Sequence, residues 1–467
     1  MTGPGRRVGH AYRALAGGAL LLAIRAVASG DRLADRPAAG STVDEEGRAA
    51  FTQHVPDLTD AQLKAFALGN RIFSTSWVAA PASVAIFDGL GPFFSQRSCS
   101  GCHLRDGRSR PPMGGPDSGG RHDDGAYVIG LAREDGAGGL APDPTSGEQL
   151  SERALPGLVP EGMVDVRWAE QPFRFPDGET ASLRHPEYDL RDLGYGPLAP
   201  GTRLRPRLAP AMPGMGLLEA IPDSEILARE DPDDRDGDGI SGRAHRVPAP
   251  DGSIRVGRFG WKADKVAIHD QVVRALRLDI GITSHDLPTS DVTAAEPEAA
   301  RLPEGGDPEI GDTTLAAIVD YCAMLAVPAR RNLHDPGVAR GAREFAAAGC
   351  ASCHGGAYVT GASPFAALDH QRIKPGTDLL LHDMGPSLAE GVSARAASGA
   401  EWRTPPLWGL GLHAHVTGYR FLLHDGRART LVEAILWHGG EANASRERFI
   451  HLPAGARRDL LAYLESL

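Results

Sequence analysis

Four of the five cysteines in this chain fall into two matching patterns, Cys99-Ser-Gly-Cys102-His103 and Cys350-Ala-Ser-Cys353-His354. Two thiols at this spacing, followed at once by an imidazole, can do a particular piece of chemistry. Each thiol can add to one vinyl group of a porphyrin, and the adjoining histidine is then placed under the ring to ligate its iron. A single Cys-x-x-Cys could also serve as a dithiol redox pair or as half of a zinc site. Two copies, both ending in histidine and both downstream of a helical stretch, point instead to two c-type haems. The attachment residues are Cys99, Cys102 and His103 for the first and Cys350, Cys353 and His354 for the second. The remaining Cys322 lies in an apolar helical stretch and reads as a buried free thiol.

A haem ligated from one side leaves a sixth position on its iron. Past His354 the chain reads Leu379-Leu-Leu-His382-Asp383-Met384-Gly385-Pro386. Met384 stands in a Gly/Pro turn, where a thioether could ligate the second iron, stabilise its ferrous form and raise its potential. His382 is the competing ligand. For the first iron, Met113, His122, Met212 and Met215 are the candidates, and an open position able to bind peroxide or dioxygen is the alternative. A separate pattern, Asp234-Arg-Asp236-Gly-Asp238-Gly, can turn three carboxylates inward on one hard cation, which makes it a candidate calcium loop. It lacks the distal bidentate glutamate of an EF-hand, and a solvated acidic turn is the plain alternative.

These groups need elements to hold them. Leu63, Phe66, Ala67, Asn70 and Phe73 recur at helical spacing, so Asp60–Phe73 is expected as a helix capped by Thr59 or Asp60. Helices are also expected over Val266–Leu278, Thr314–Leu325, Val338–Ala348, Thr430–His438 and Ala454–Leu467. From Arg105 to about Pro213 the chain is dense in Gly, Pro, Asp and Arg, with short strand-like pieces at Ala126–Leu131 and Gly162–Trp168. That stretch reads as an irregular insertion around the first site. The recurrence of a helix ahead of Cys-x-x-Cys-His suggests a coarse internal duplication.

The bulk numbers agree with a globular chain. It has 467 residues, long enough for two domains, with 42% hydrophobic and 23% charged residues. Its 58 glycines and 36 prolines, against 6% aromatics, suggest loops wrapped around a cofactor. A formal charge of −11 without a basic block argues against nucleic acid and suits a basic redox partner. Arg6, Arg7 and Arg13 precede a short apolar run, Ala14–Ile24, and then Ala26-Val27-Ala28, the form of a cleaved export signal. No segment is long and apolar enough for a stable membrane span.

The chain resembles the di-haem oxidoreductase family, which is related to the bacterial di-haem cytochrome c peroxidases. The resemblance rests on Gly257-Arg-Phe-Gly-Trp261-Lys-Ala, Asp279-Ile-Gly-Ile-Thr, Leu380-Leu-His-Asp-Met384-Gly-Pro, Glu401-Trp-Arg-Thr-Pro-Pro-Leu-Trp-Gly and Phe421-Leu-Leu-His-Asp-Gly-Arg-Ala-Arg-Thr-Leu. It implies an N-terminal haem that meets peroxide and a C-terminal haem that receives electrons. It implies further that Trp261 bridges the haems and that Gln271, ten residues on, and the acidic Asp279 assist cleavage of the peroxide bond. His424 and Arg427 are implied to pack near the second haem's propionates. The methionine that the peroxidases carry ahead of Pro-Ser-Leu-Arg is missing here, where Glu401-Trp-Arg-Thr-Pro-Pro stands. Calcium between the haems is common in those peroxidases.

The expected fold is therefore mainly α and loop-rich, with two cytochrome c-like domains whose haems lie near their interface. The expected division is a signal peptide at 1–28, a flexible segment at 29–54, an N-terminal domain at 55–328 and a C-terminal domain at 333–467. The expected function is a periplasmic, peroxidase-like oxidoreductase served by a small redox protein. The alternative is a di-haem electron carrier without small-molecule catalysis, and a third reading is a cytochrome supporting an assembly or metal-uptake system.

Overall fold

The computed structural model describes residues 1, 36–113, 126–136, 139–249, 251–393 and 397–467. Apart from Met1, the leader expected over 1–28 lies outside these residues, and so does the ligand candidate His122. Helix α1, Asp60–Ser74, begins where expected: Thr59 accepts from the Gln62 N–H at 3.3 Å while the Gln62 side chain accepts from the Thr59 N–H at 2.9 Å. This reciprocal cap satisfies two donors that the first turn leaves without partners.

The strands are where the expectation fails. Strand β1, Tyr127–Glu134, pairs on one edge with β2, Gln149–Leu150. A hairpin follows, in which β3, Met163–Arg174, pairs along its whole length with β4, Thr180–Arg191. Strand β5, Arg203–Leu208, then closes on the other edge of β1, from Tyr127↔Leu208 to Ala132↔Arg203. With 30% helix and 19% strand in several antiparallel sheets, the fold is mixed α/β. The expectation of a mainly α, loop-rich pair of cytochrome c-like domains is thereby corrected.

The reason is physical. Alternation marks a strand only where one face is buried, and in β3 only Met163–Val166 alternates, while most of the following residues are exposed. Pro172 and Pro186 lie inside the paired segments and read as breakers. The hairpin is held at its two ends. Val164 and Val166 join the core beneath β1 and β5, whereas Phe175 and Leu183 reach a different core near the C-terminus. Buried Arg457 ties the tip down, donating to Asp177 and Glu179, both at 2.6 Å.

Helix α2, Ile268–Ala275, runs into a π-helical turn, Leu276–Ile280. The turn ends at Gly281, whose φ of +77° suits glycine and whose missing Cβ lets it lie against Gly91. Helix α3, Asp312–Ala323, packs on α1, where Gly69 faces the Ala317 carbonyl so closely that a Cβ could not fit. Phe66 and Phe73 of α1 meet Tyr321 of α3 with ring centroids 4.8 and 5.2 Å apart. Together they build the largest core. The C-terminal region comprises α4 (Pro336–Ala347), α5 (Leu431–Leu436), α6 (Asn443–His451) and α7 (Ala454–Ser466), of which only α6 was not expected. Phe345, Trp437, Phe449 and Leu460 form its core. Among the described residues no helix is long and apolar enough to cross a membrane.

Candidate functional site

The first triplet lies on a single helical turn, Cys99–Cys102, with His103 just past its end. The Nδ1 of His103 donates to the carbonyl of Pro210 at 2.9 Å. A carbonyl only accepts, so this bond fixes the proton on Nδ1 and leaves the lone pair on Nε2. Burial pulls the ring down to about pKa 4 against that bond and the Gly107 backbone, so it is neutral at pH 7. Phe73 of α1 packs against it, with centroids 6.1 Å apart.

Two carboxyl groups flank this triplet. Asp279, on the π-helical turn, adds its charge to the burial that lifts both Cys99 and Cys102. Gln149 of β2, itself buried, donates from Nε2 to Asp279 Oδ1 at 3.0 Å and is anchored by Ser95 Oγ and the Leu278 carbonyl. Burial pushes Asp279 up to about 6, with the Gln149 bond and Arg274 working against the rise. Asp106 is buried and accepts from the Tyr321 hydroxyl at 2.8 Å, and burial pushes it up to about 7. Of the methionines considered for this iron, Met113 is exposed. Met212 is buried in the largest core two residues past Pro210, its N–H bonded to the Asp106 carbonyl. Met215 is half-buried against the largest core.

The second triplet repeats the arrangement. Helix α4 leads into the turn Ala351–His354, and His354 Nδ1 donates to the Gly376 carbonyl at 3.0 Å. Burial pulls its ring down to about 4 as well. What surrounds it differs. His382, buried, bonds through Nε2 to Asp378 at 2.8 Å and through Nδ1 to Glu441 at 2.7 Å. Burial works against its charge, yet the bonds to Asp378, Cys353 and Glu441 hold it up to about 12. Both of its ring nitrogens are thus engaged by carboxylates. Met384 is half-buried against the C-terminal core, which also receives Cys350.

Trp261 is half-buried. Its Nε1 donates to the Leu208 carbonyl at 2.9 Å, the guanidinium of Arg108 sits 5.2 Å from its ring, and the indole packs on the C-terminal core. His424 meets it edge-on at 6.5 Å and stacks flat on Trp402 at 3.8 Å. Lys262 Nζ lies 3.8 Å from the Trp402 ring. Gln271 is on α2 and points toward Gly260, beside Trp261, so the amide that holds Asp279 is Gln149. Arg427 is committed to the Asp425 carboxylate at 2.8 Å and to the Ser387 carbonyl at 2.7 Å. Asp234, Asp236 and Asp238 converge, with one oxygen of each within 4.8 Å of the others. Their carboxylates also accept from the N–H groups of Gly239, Asp238 and Ile240.

The donor set fits a covalently held iron porphyrin. All five cysteines are free thiols. Both triplet histidines are neutral and locked in the tautomer that presents Nε2. Cys353, Asp378 and His382 form the other cluster of ligand atoms among the described residues, and within it His382 Nε2 is bonded to Asp378. Sequence reasoning missed Gln149, which lies in the Gly- and Pro-rich stretch, and Asp106, whose nearness to His103 was the one available signal.

Comparisons with known proteins follow the same line. A family model described as "Di-haem oxidoreductase, putative peroxidase" matches residues 34–120 and 199–467. The unmatched stretch contains β1, β2 and the β3–β4 hairpin. No curated protein matches the chain. Among solved structures, a Kuenenia stuttgartiensis hydrazine synthase pressurised with xenon is 19% identical over 39% of this chain and 65% of that one. Its TM-score of 0.23 is too low to carry an argument. The family match, covering most of the chain and both Cys-x-x-Cys-His segments, shows that the chain belongs to the di-haem oxidoreductase family.

Proposed function

We propose that the chain binds two c-type haems, at Cys99, Cys102 and His103 and at Cys350, Cys353 and His354, and acts as a peroxidase-like oxidoreductase. Electrons would pass from the C-terminal to the N-terminal haem. The observation that supports this most is the contrast in surroundings: the acid beside the first pair of cysteines, Asp279, is held by an amide, Gln149, whereas the acid beside the second, Asp378, is bonded to His382. When bound, the haems supply electron storage and an iron at which a small oxidant can be reduced.

The chain's own groups then have distinct tasks. With a pKa of about 6, Asp279 both takes up and releases a proton near neutral pH, the property needed to move a proton between the two oxygens of a peroxide. Gln149 fixes the carboxyl by its bond to Oδ1. Trp261 fills the space between the two surroundings with an aromatic ring, and Gln271 supports the turn that carries it. The adjoining turns that hold Met384 and His438 would supply the remaining ligand of the second haem. The loop Asp234–Asp238 is assigned to calcium on its three converging carboxylates. A small redox protein with a basic face would complement the net charge of −11. Export to the periplasm accords with covalent haem attachment.

The test is made on the full chain, matured in a host competent for c-type cytochromes. Expected are two covalent haems, a high-spin ferric component that binds cyanide, and peroxide turnover with a reduced small cytochrome as donor. Two low-spin haems in every redox state, indifferent to cyanide and peroxide, would overturn the peroxidase reading.

A further inference from the structure

We propose that Nε2 of His438 is the sixth ligand of the iron held at Cys350–His354, the position for which Met384 and His382 are the sequence candidates. The inference rests on the haem reading above and deepens it.

Three observations carry it. First, the turn following His438 is fastened to the second triplet. Glu441 accepts from His382 Nδ1 at 2.7 Å and from the Asp383 N–H at 3.1 Å. His382 in turn bonds Asp378, and the ligand atoms of Cys353, Asp378 and His382 lie within 4.8 Å of one another. Ser241 holds Glu441 from the other side, through its N–H at 3.0 Å and its hydroxyl at 2.9 Å. Gly439 and Gly440 allow the backbones to touch, since a Cβ on Gly440 would collide with the Asp383 carbonyl.

Second, His438 is prepared as a ligand. Its Nδ1 donates to the Ala434 carbonyl at 2.7 Å, so Nε2 keeps the lone pair, as in His103 and His354. Exposed His451 makes the same bond one turn back, to Glu447 at 2.8 Å, so the bond alone is ordinary helix-end behaviour. His438 differs in being half-buried, with no hydrogen-bond partner for Nε2 among the described residues.

Third, the residue after His438 lies against the turn that carries the other candidates, since a Cβ on Gly439 would press on the Met384 carbonyl. Met384 rests against the C-terminal core, where a thioether packs as an apolar group, and His382 has no free nitrogen. A pair of imidazoles holds iron at a lower potential than an imidazole and a thioether.

The experiment compares the matured wild-type protein with His438→Ala, His438→Met and Met384→Leu. Peptide mass and alkaline pyridine spectra count covalent haem at each triplet, and spin-resonance and optical spectra report ligation. Expected in the wild type is a low-spin signal of a bis-imidazole centre. His438→Ala should convert that centre to high spin, and added imidazole should restore it. His438→Met should return the long-wavelength ferric band of a thioether ligand and raise the midpoint potential, and Met384→Leu should change none of these. If Met384→Leu opens the centre, or His438→Ala leaves it low-spin without added ligand, the assignment is overturned. Absence of haem from Cys350 and Cys353 would overturn the underlying reading as well, and haem analysis distinguishes that failure from the first.

Discussion

The two attachment segments carry the same pattern, the same short turn and the same Nδ1-to-carbonyl bond on the histidine. Their neighbours differ. Carboxyl groups lifted by burial, Asp279 and Asp106, stand beside the first, whereas at the second the carboxylates Asp378 and Glu441 are bonded to an imidazole, His382, with His438 on the adjoining turn. A proton carrier near neutral pH is useful where bonds to oxygen break, and a second nitrogen base is useful where iron should stay closed and only pass electrons. On the proposed reading, one attachment chemistry would serve two tasks because the surroundings, rather than the triplets, set them apart.

The largest expected effects remove one side of this contrast. Replacing both Cys350 and Cys353 by alanine should halve the covalent haem content and abolish the second centre's spectrum, leaving the first intact by mass analysis. Asp279→Asn should leave both haems attached while peroxide turnover falls by about 100-fold, in the range typical of lost acid–base catalysis. Equal turnover in this variant would dissolve the contrast, because nothing else would mark the first site as the reactive one.

Gln149→Leu sharpens the point with a smaller effect. The amide bond favours the ionised carboxyl, so its loss should move Asp279 above its value of about 6. The corresponding limb of the pH–rate profile should shift to higher pH, with the haem spectra unchanged. The smallest effect concerns support of the helix that carries Asp279. Burial works to raise Glu148, but Arg274 and Arg277 outweigh it and hold the carboxyl down to about 2, from an ordinary 4.5. Its folded value is depressed, so its contribution is present above pH 4.5 and lost as pH falls toward 2. Unfolding measured across that window should show a loss on the order of 2 kcal/mol that Glu148→Gln removes.

What the sequence disclosed followed the range of its signals. The triplets were legible because attachment is dictated by adjacent residues, and α1 because Thr59 and Gln62 announce its start. Asp279 was singled out through family resemblance, but its hydrogen-bond partner Gln149 lies far away in the chain, and no local pattern links the two. His438 ends a helix that was expected on periodicity, and its nearness to His354 exists only after folding. The β3–β4 hairpin escaped because much of it is wet on both faces and carries proline in each strand. Met384 drew attention through its Gly/Pro turn, yet that turn serves equally as the seat on which Gly439 and Gly440 rest.

The π-helical turn at Leu276–Ile280 has a consequence for how such an acid can be gained or lost. In a regular α-helix each residue rotates the next by about 100°, so one residue more or fewer redirects every side chain beyond it. Asp279 sits within that wide turn, with Gly281 free to absorb the change immediately after. Deleting a single residue there would swing the carboxyl away from the cysteines and would also shift Leu276 or Ile280 against the largest core. On the proposed reading, the step between a reactive centre and a mere conductor of electrons is one codon long, at the cost of that packing.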